Sequence, residues 1–135
     1  MEFKLLVAQL DALNLPRDQY VIVGSGAMAA HEIREANDFD VLVSMDLWDK
    51  LSKDHTIVMS GKTENIQLGD IQILGNGSMY RIPEIASIED MINTAETIEG
   101  HKFLDLKLVK KFKLNEGREK DLKDVELIDK YLNNG

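Results

Sequence analysis

The chain has 135 residues, 44% of them hydrophobic, which suits one domain with a core of its own. Net charge is −8 and there is no cysteine, so a broad nucleic-acid-binding face is not the default and Cys-ligated zinc, iron–sulfur clusters and disulfides are excluded. Absence of cysteine suits a reducing cytoplasmic setting. The opening "EFKLLVAQLDALNL" carries charges that break up any signal-peptide core, and no stretch approaches the roughly 18 apolar residues of a membrane span.

In chain order, residues 2–13 read as a helix with Phe3, Leu6, Leu10 and Leu13 on one face, stopped by Pro16. "YVIVG" is a short buried strand. Residues 26–34 suit a helix opened by Ser25, and "DFDVLVS" is a second strand. Asp46 is expected to cap a short helix containing Leu47, Trp48 and Leu51, with Trp48 in the core. "TIVM" is another strand. "ENIQL" and "DIQIL" form a hairpin through Gly69, and "GNGS" leads into "MYRIP". Residues 87–95, capped by Ser87, then 102–114 and 118–132, read as helices. The last shows an apolar stripe of Leu122, Val125, Ile128 and Leu132. This order predicts an α/β fold in a single domain, with a mixed, partly antiparallel sheet and helices packed on it.

Charge is unevenly spread. Residues 102–123 hold eight bases against four acids, a local +4 in a chain whose remainder is −12. Such a run is usually a solvated face, or else a counter-charge for phosphate.

The chemistry concentrates in residues 21–43, "VIVGSGAMAAHEIREANDFDVLV". "GSGAMA" satisfies G-x-G-x-x-A, a dinucleotide fingerprint. That reading requires repeated parallel βα units, whereas the second half here turns into short hairpin strands. No Gly-Lys-Ser/Thr follows, so it is not a P-loop. Asp38 and Asp40 are two apart in a strand and share a face, about 7 Å from each other. Unscreened, they raise each other's pKa; a cation between them removes the conflict. Magnesium typically takes one or two carboxylates plus substrate phosphates. The Gly24-Ser25 turn, opening a helix, offers backbone N–H groups to such a phosphate. A strand-edge carboxylate pair beside a helix cap is the plainer alternative. His31, on the first short helix, reads as a packing or surface residue.

Gly24-Ser25, twelve intervening residues, then Asp38-Phe39-Asp40-Val41 resembles the signature of the nucleotidyltransferase fold, the DNA polymerase beta-like superfamily. "AAHEIREANDFDVLV" is similar to small bacterial and phage members in which an arginine, here Arg34, precedes the D-x-D strand. "FLDLKLVKKFKLNEGREKDLKDVELI" resembles the tail of the uncharacterised nucleotidyltransferase and AbiEii-toxin-like groups, with Lys107, Arg118, Asp121 and Asp124 in the matching places. The resemblance spans about residues 20–130.

It implies transfer of a nucleoside monophosphate from an NTP to a hydroxyl acceptor. It implies two Mg²⁺ (or Mn²⁺) ions on Asp38 and Asp40, with a third carboxylate from a later strand. Asp70 is the chosen match and Glu64 the runner-up, although the neighbouring Gly69 departs from the pattern's apolar flank. It further implies Ser25 and the amides around Gly24 and Gly26 as phosphate binders, and Lys107 or Arg118 as charge neutralisers for the leaving group. The acceptor, whether protein, RNA or small molecule, is not written in the residues. About 50 residues follow the hairpin region, too few for a second substrate-selecting domain, so a homodimer or antitoxin-type partner is expected to complete the site. A catalytically weak nucleotide-binding or interaction protein on the same fold is the alternative.

Overall fold

The computed structural model describes residues 2–134. Six helices and seven strands follow one another as α1 (Phe3–Ala12), β1 (Tyr20–Val23), α2 (Ser25–Ala30), β2 (Phe39–Val43), α3 (Met45–Asp54), β3 (Val58–Ser60), β4 (Thr63–Leu68), β5 (Ile71–Leu74), α4 (Ile88–Asn93), β6 (Glu96–Ile98), β7 (His101–Phe103), α5 (Leu106–Glu116) and α6 (Glu119–Asn134). The strands form one sheet in the order β3-β4-β5-β2-β1-β7-β6. β1 runs antiparallel to β2, while β2–β5 and β1–β7 are parallel, so the sheet is mixed as expected.

Register sorts the side chains. Ile22 pairs with Val41 and with Phe103, and Phe39 pairs with Ile71, which puts these residues on one face. α1 and α2 cover that face. The Phe3 ring meets Phe39 at 5.6 Å and Phe103 at 5.7 Å. Gly26 lies so close to the sheet that a Cβ there would come within 2.7 Å of Ile22 Cγ2 and 3.0 Å of Phe39. The opposite face carries Val21, Val23, Asp40, Leu42, Gln72 and Leu74, and all but Asp40 and Gln72 are buried.

Three local expectations change. Ser44, not Asp46, caps α3, accepting from the Leu47 N–H at 3.2 Å. Residues 79–83 form no strand. Residues 96–103, which the sequence left unassigned up to a helix from 102, form the β6–β7 hairpin. Trp48 and the Ser87 cap stand as expected. α5 and α6 pack antiparallel, tied by Lys110 to Asp129 at 2.6 Å and by Lys113 to Asp124 at 2.9 Å.

Candidate active site

β1 ends at Val23, which pairs with Asp40, so the turn after β1 delivers Gly24 to the Asp40 carboxylate. Gly24 adopts φ 61° and ψ −135°, a backbone conformation that suits only glycine. A Cβ there would stand 3.2 Å from the Tyr80 hydroxyl oxygen and 3.9 Å from Asp40 Oδ2. Tyr80 is buried and packs on Phe112 of α5 at 5.2 Å. The site is therefore a corner where the ends of β1 and β2, the 78–81 loop and α5 meet.

Asp38 sits one residue before β2, half-buried, on the same side as Asp40 by alternation. Burial pushes the Asp40 carboxyl up to about 6; the Asp38 charge adds to this, and Lys113 and Lys120 oppose it. Asp40 Oδ1 is buried and no protein group hydrogen-bonds it. Buried polar atoms without a partner are rare, and this one is an anion facing a second anion. Such a donor set fits a hard divalent cation that completes its shell with phosphate oxygens.

The third carboxylate is another matter. Asp70 is in the β4–β5 turn, next to Asp38 along the sheet, where its carbonyl accepts from the Phe39 N–H at 3.0 Å. Its carboxylate is held by Gln9 of α1: Gln9 Nε2 donates to Asp70 Oδ2 at 2.8 Å, and the Asp70 N–H donates back to Gln9 Oε1 at 2.9 Å. α1 covers the Phe39 face, the side opposite Asp40. Glu64 is on β4, two strands from β2, and accepts from Asn76 Nδ2 at 2.8 Å. Among the described residues, no three His, Cys, Asp or Glu side chains are grouped to hold a metal. The residue in register with Asp40 on β5 is Gln72. Among the described residues the site thus offers two carboxylates, Asp38 and Asp40.

Of the expected phosphate binders, Gly26 is buried and its lack of a side chain is used in packing against Ile22 and Phe39. Ser25 is the first residue of α2, and the N-cap before it is Gly24, which has no side chain to cap the helix. Arg34 donates from one terminal nitrogen to both Asp124 oxygens, at 2.8 and 3.0 Å. Arg118 grips Asp121 at 2.7 and 3.2 Å. Lys107 is exposed on the first turn of α5, behind the Asp105 cap.

Sequence reading missed Lys113. It is buried between the two acids, 2.9 Å from Asp124 and 3.7 Å from Asp121, and its charge acts on Asp40. Burial raises the Asp121 carboxyl, but the bond to Arg118 and the Arg118 and Lys113 charges outweigh it, leaving it below the usual value. The signal was available: Lys113 lies four residues after Val109 in a helix whose buried positions include both.

No protein-family model matches this chain, and no curated protein matches it by sequence. The fold does match solved structures. One is the crystal structure of a putative nucleotidyltransferase from Thermotoga maritima, with TM-score 0.52 and 16% identity over 98% of this chain and 92% of that one. The chain has a nucleotidyltransferase-like fold.

Proposed function

We propose that the chain transfers a nucleoside monophosphate from an NTP to a hydroxyl acceptor at Asp38 and Asp40, dependent on Mg²⁺ or Mn²⁺. The observation that carries this reading is the buried, unbonded Oδ1 of Asp40, set beside Asp38 and against the Gly24 turn. In the reaction the acceptor oxygen bonds to the α-phosphorus and loses its proton to solvent, the bond to the β-phosphate oxygen breaks, and pyrophosphate leaves. Bound metal supplies a Lewis acid for the phosphoryl oxygens. Asp38 and Asp40 would hold it, and the glycine at 24 lets the turn after β1 pass close beside Asp40 and Tyr80. Ser25, the first residue of α2, would add a hydroxyl donor to a phosphate bound at that turn. Arg34 and Arg118 act through Asp124 and Asp121, which fix Lys113 behind the site. Lys107, being exposed, is a candidate for the leaving group only from the rim.

The test is transfer of label from α-labelled NTPs to protein, RNA and small hydroxyl acceptors. Label transfer with Mg²⁺ that vanishes in Asp40→Asn supports the reading; no transfer with any NTP and acceptor removes it. A second reading, a nucleotide-binding or antitoxin-partnered interaction protein on this fold, is favoured by the engagement of Asp70 with Gln9. It predicts Mg-NTP binding without transfer.

A further inference from the structure

We propose that this site takes a single divalent ion, because Gln72 stands where a second ion would need a carboxylate. The inference rests on the Asp38–Asp40 site described above. It departs from the two-ion arrangement that the sequence resemblance implies.

The argument starts from register. β2 and β5 are parallel neighbours, and their pairs run Phe39 with Ile71, Asp40 with Gln72, Val41 with Ile73. Paired residues point to the same face, and adjacent strands lie about 4.8 Å apart. Gln72 is therefore the β5 side chain directly beside Asp40 on its face. Its flanks, Ile71 and Ile73, are buried against the other face and hold the register, since a one-residue slip would turn them onto the Asp40 face and Gln72 into the core under α1. The amide of Gln72 is a neutral oxygen ligand at best.

A two-ion centre places its cations about 3.5–4 Å apart. Their mutual repulsion must be offset by anions that face both, and Asp38 and Asp40 supply two. Every other nearby carboxylate is committed. Asp70 is fixed on Gln9 through paired hydrogen bonds. Glu64 is two strands away and bonded to Asn76. Asp121 is bound to Arg118, and Asp124 to Arg34 and Lys113. Lys113 and Lys120 already bring positive charge to bear on Asp40, which favours one additional cation over two. The ion that fits is the one an NTP carries on its own phosphates, with Asp38 and Asp40 completing its shell. The acceptor hydroxyl then has no ion of its own.

The experiment counts ions. Mn²⁺ is titrated into the whole chain with a non-hydrolysable α,β-methylene NTP, and free Mn²⁺ is read by electron paramagnetic resonance. The expected result is one ion per chain for the wild type, two for Gln72→Glu, and none for Asp40→Asn. Gln72→Asp serves as a second gain-of-site variant, and thermal melts check that each is folded. Two ions on the wild type overturn the inference and leave the transfer reading standing. One ion on a folded Gln72→Glu and on a folded Gln72→Asp also overturns it. No ion on the wild type overturns both the inference and the site. One ion on the wild type and two on the variants, without label transfer by the wild type, supports the inference and removes the transfer reading.

Discussion

Asp40 shows how a side chain suited to a ligand costs the unliganded fold. Its carboxyl is raised from 3.8 to about 6, so the folded state binds a proton more tightly than the unfolded one. Stability is then greatest below the unfolded value and falls as pH rises from about 4 through 6. By linkage the cost at neutral pH is on the order of 2–3 kcal/mol. We therefore expect Asp40→Asn to melt several degrees above wild type at pH 7.5 in the absence of metal. That gap should close near pH 4, where both side chains are neutral. Thermal melts across this range, with EDTA, measure it; a lower melting temperature for Asp40→Asn at pH 7.5 would contradict the charge argument. Gly24 carries a related expectation. Gly24→Ala places a Cβ 3.2 Å from the Tyr80 oxygen in a conformation alanine resists, and should cost about 1–3 kcal/mol in chemical denaturation.

At the scale of elements, α5 and α6 hold the site's back wall. Lys113 sits between Asp121 and Asp124, all three buried. Removing one partner of a buried ion network leaves the others uncompensated, so Lys113→Ala should cost about 3–5 kcal/mol by urea denaturation. Lys107→Ala, exposed on the same helix, should stay within about 0.5 kcal/mol. This clamp explains why α6 was only half legible. The apolar stripe at Leu122, Val125, Ile128 and Leu132 was a reasonable helix face, yet Leu122 and Leu132 are exposed. The buried face is Asp121, Asp124, Val125 and Ile128, rotated because two acids with partners on α5 and Arg34 take core positions. No hydrophobicity pattern shows that. The β6–β7 hairpin was missed for a different reason. Its turn, Glu99-Gly100, has φ 53° and 79°, positive at both central positions as in a type I′ turn. That turn announces itself through Asn-Gly or Asp-Gly, and a glutamate hides it. By contrast β1, β2 and the shared face of Asp38 and Asp40 were readable, because uninterrupted apolar residues and period-2 alternation fix them locally. The committed side chains of Asp70 and Gln9, 61 residues apart, were not.

Across the whole molecule, a second buried titratable group works against Asp40. His101 is buried at the start of β7. Its Nε2–H donates to Asp11 Oδ1 of α1 at 2.6 Å, because a carboxylate can only accept, and its Nδ1 is left to accept from the Tyr20 hydroxyl of β1. Arg17 stands beside the same ring and bonds the Gly100 carbonyl at 2.9 Å. One neutral imidazole thus ties the helix, the central sheet and the β6–β7 hairpin together. Burial lowers its pKa, reinforced by the Arg17 charge and opposed by Asp11. With the folded value below the unfolded 6.5, stability is full above that pH and is lost as pH falls through it. Asp40 gives the opposite slope: stability grows as pH drops from about 6 toward 4. The groups occupy opposite ends of β1, since Tyr20 and Val23 are three residues, about 10 Å, apart. At that separation their effects should add. The wild-type change in melting temperature between pH 6.5 and 4.5 should accordingly be the sum of two opposed slopes, one from each group. Asp40→Asn should expose the histidine slope and lose stability on acidification. His101→Gln, whose amide can donate to Asp11 and accept from Tyr20, should gain stability over the same interval. The double variant should be flat. Melting curves of the four proteins in EDTA at half-unit pH steps test this. A double variant that still slopes strongly would show that another group, not this pair, sets the acid response.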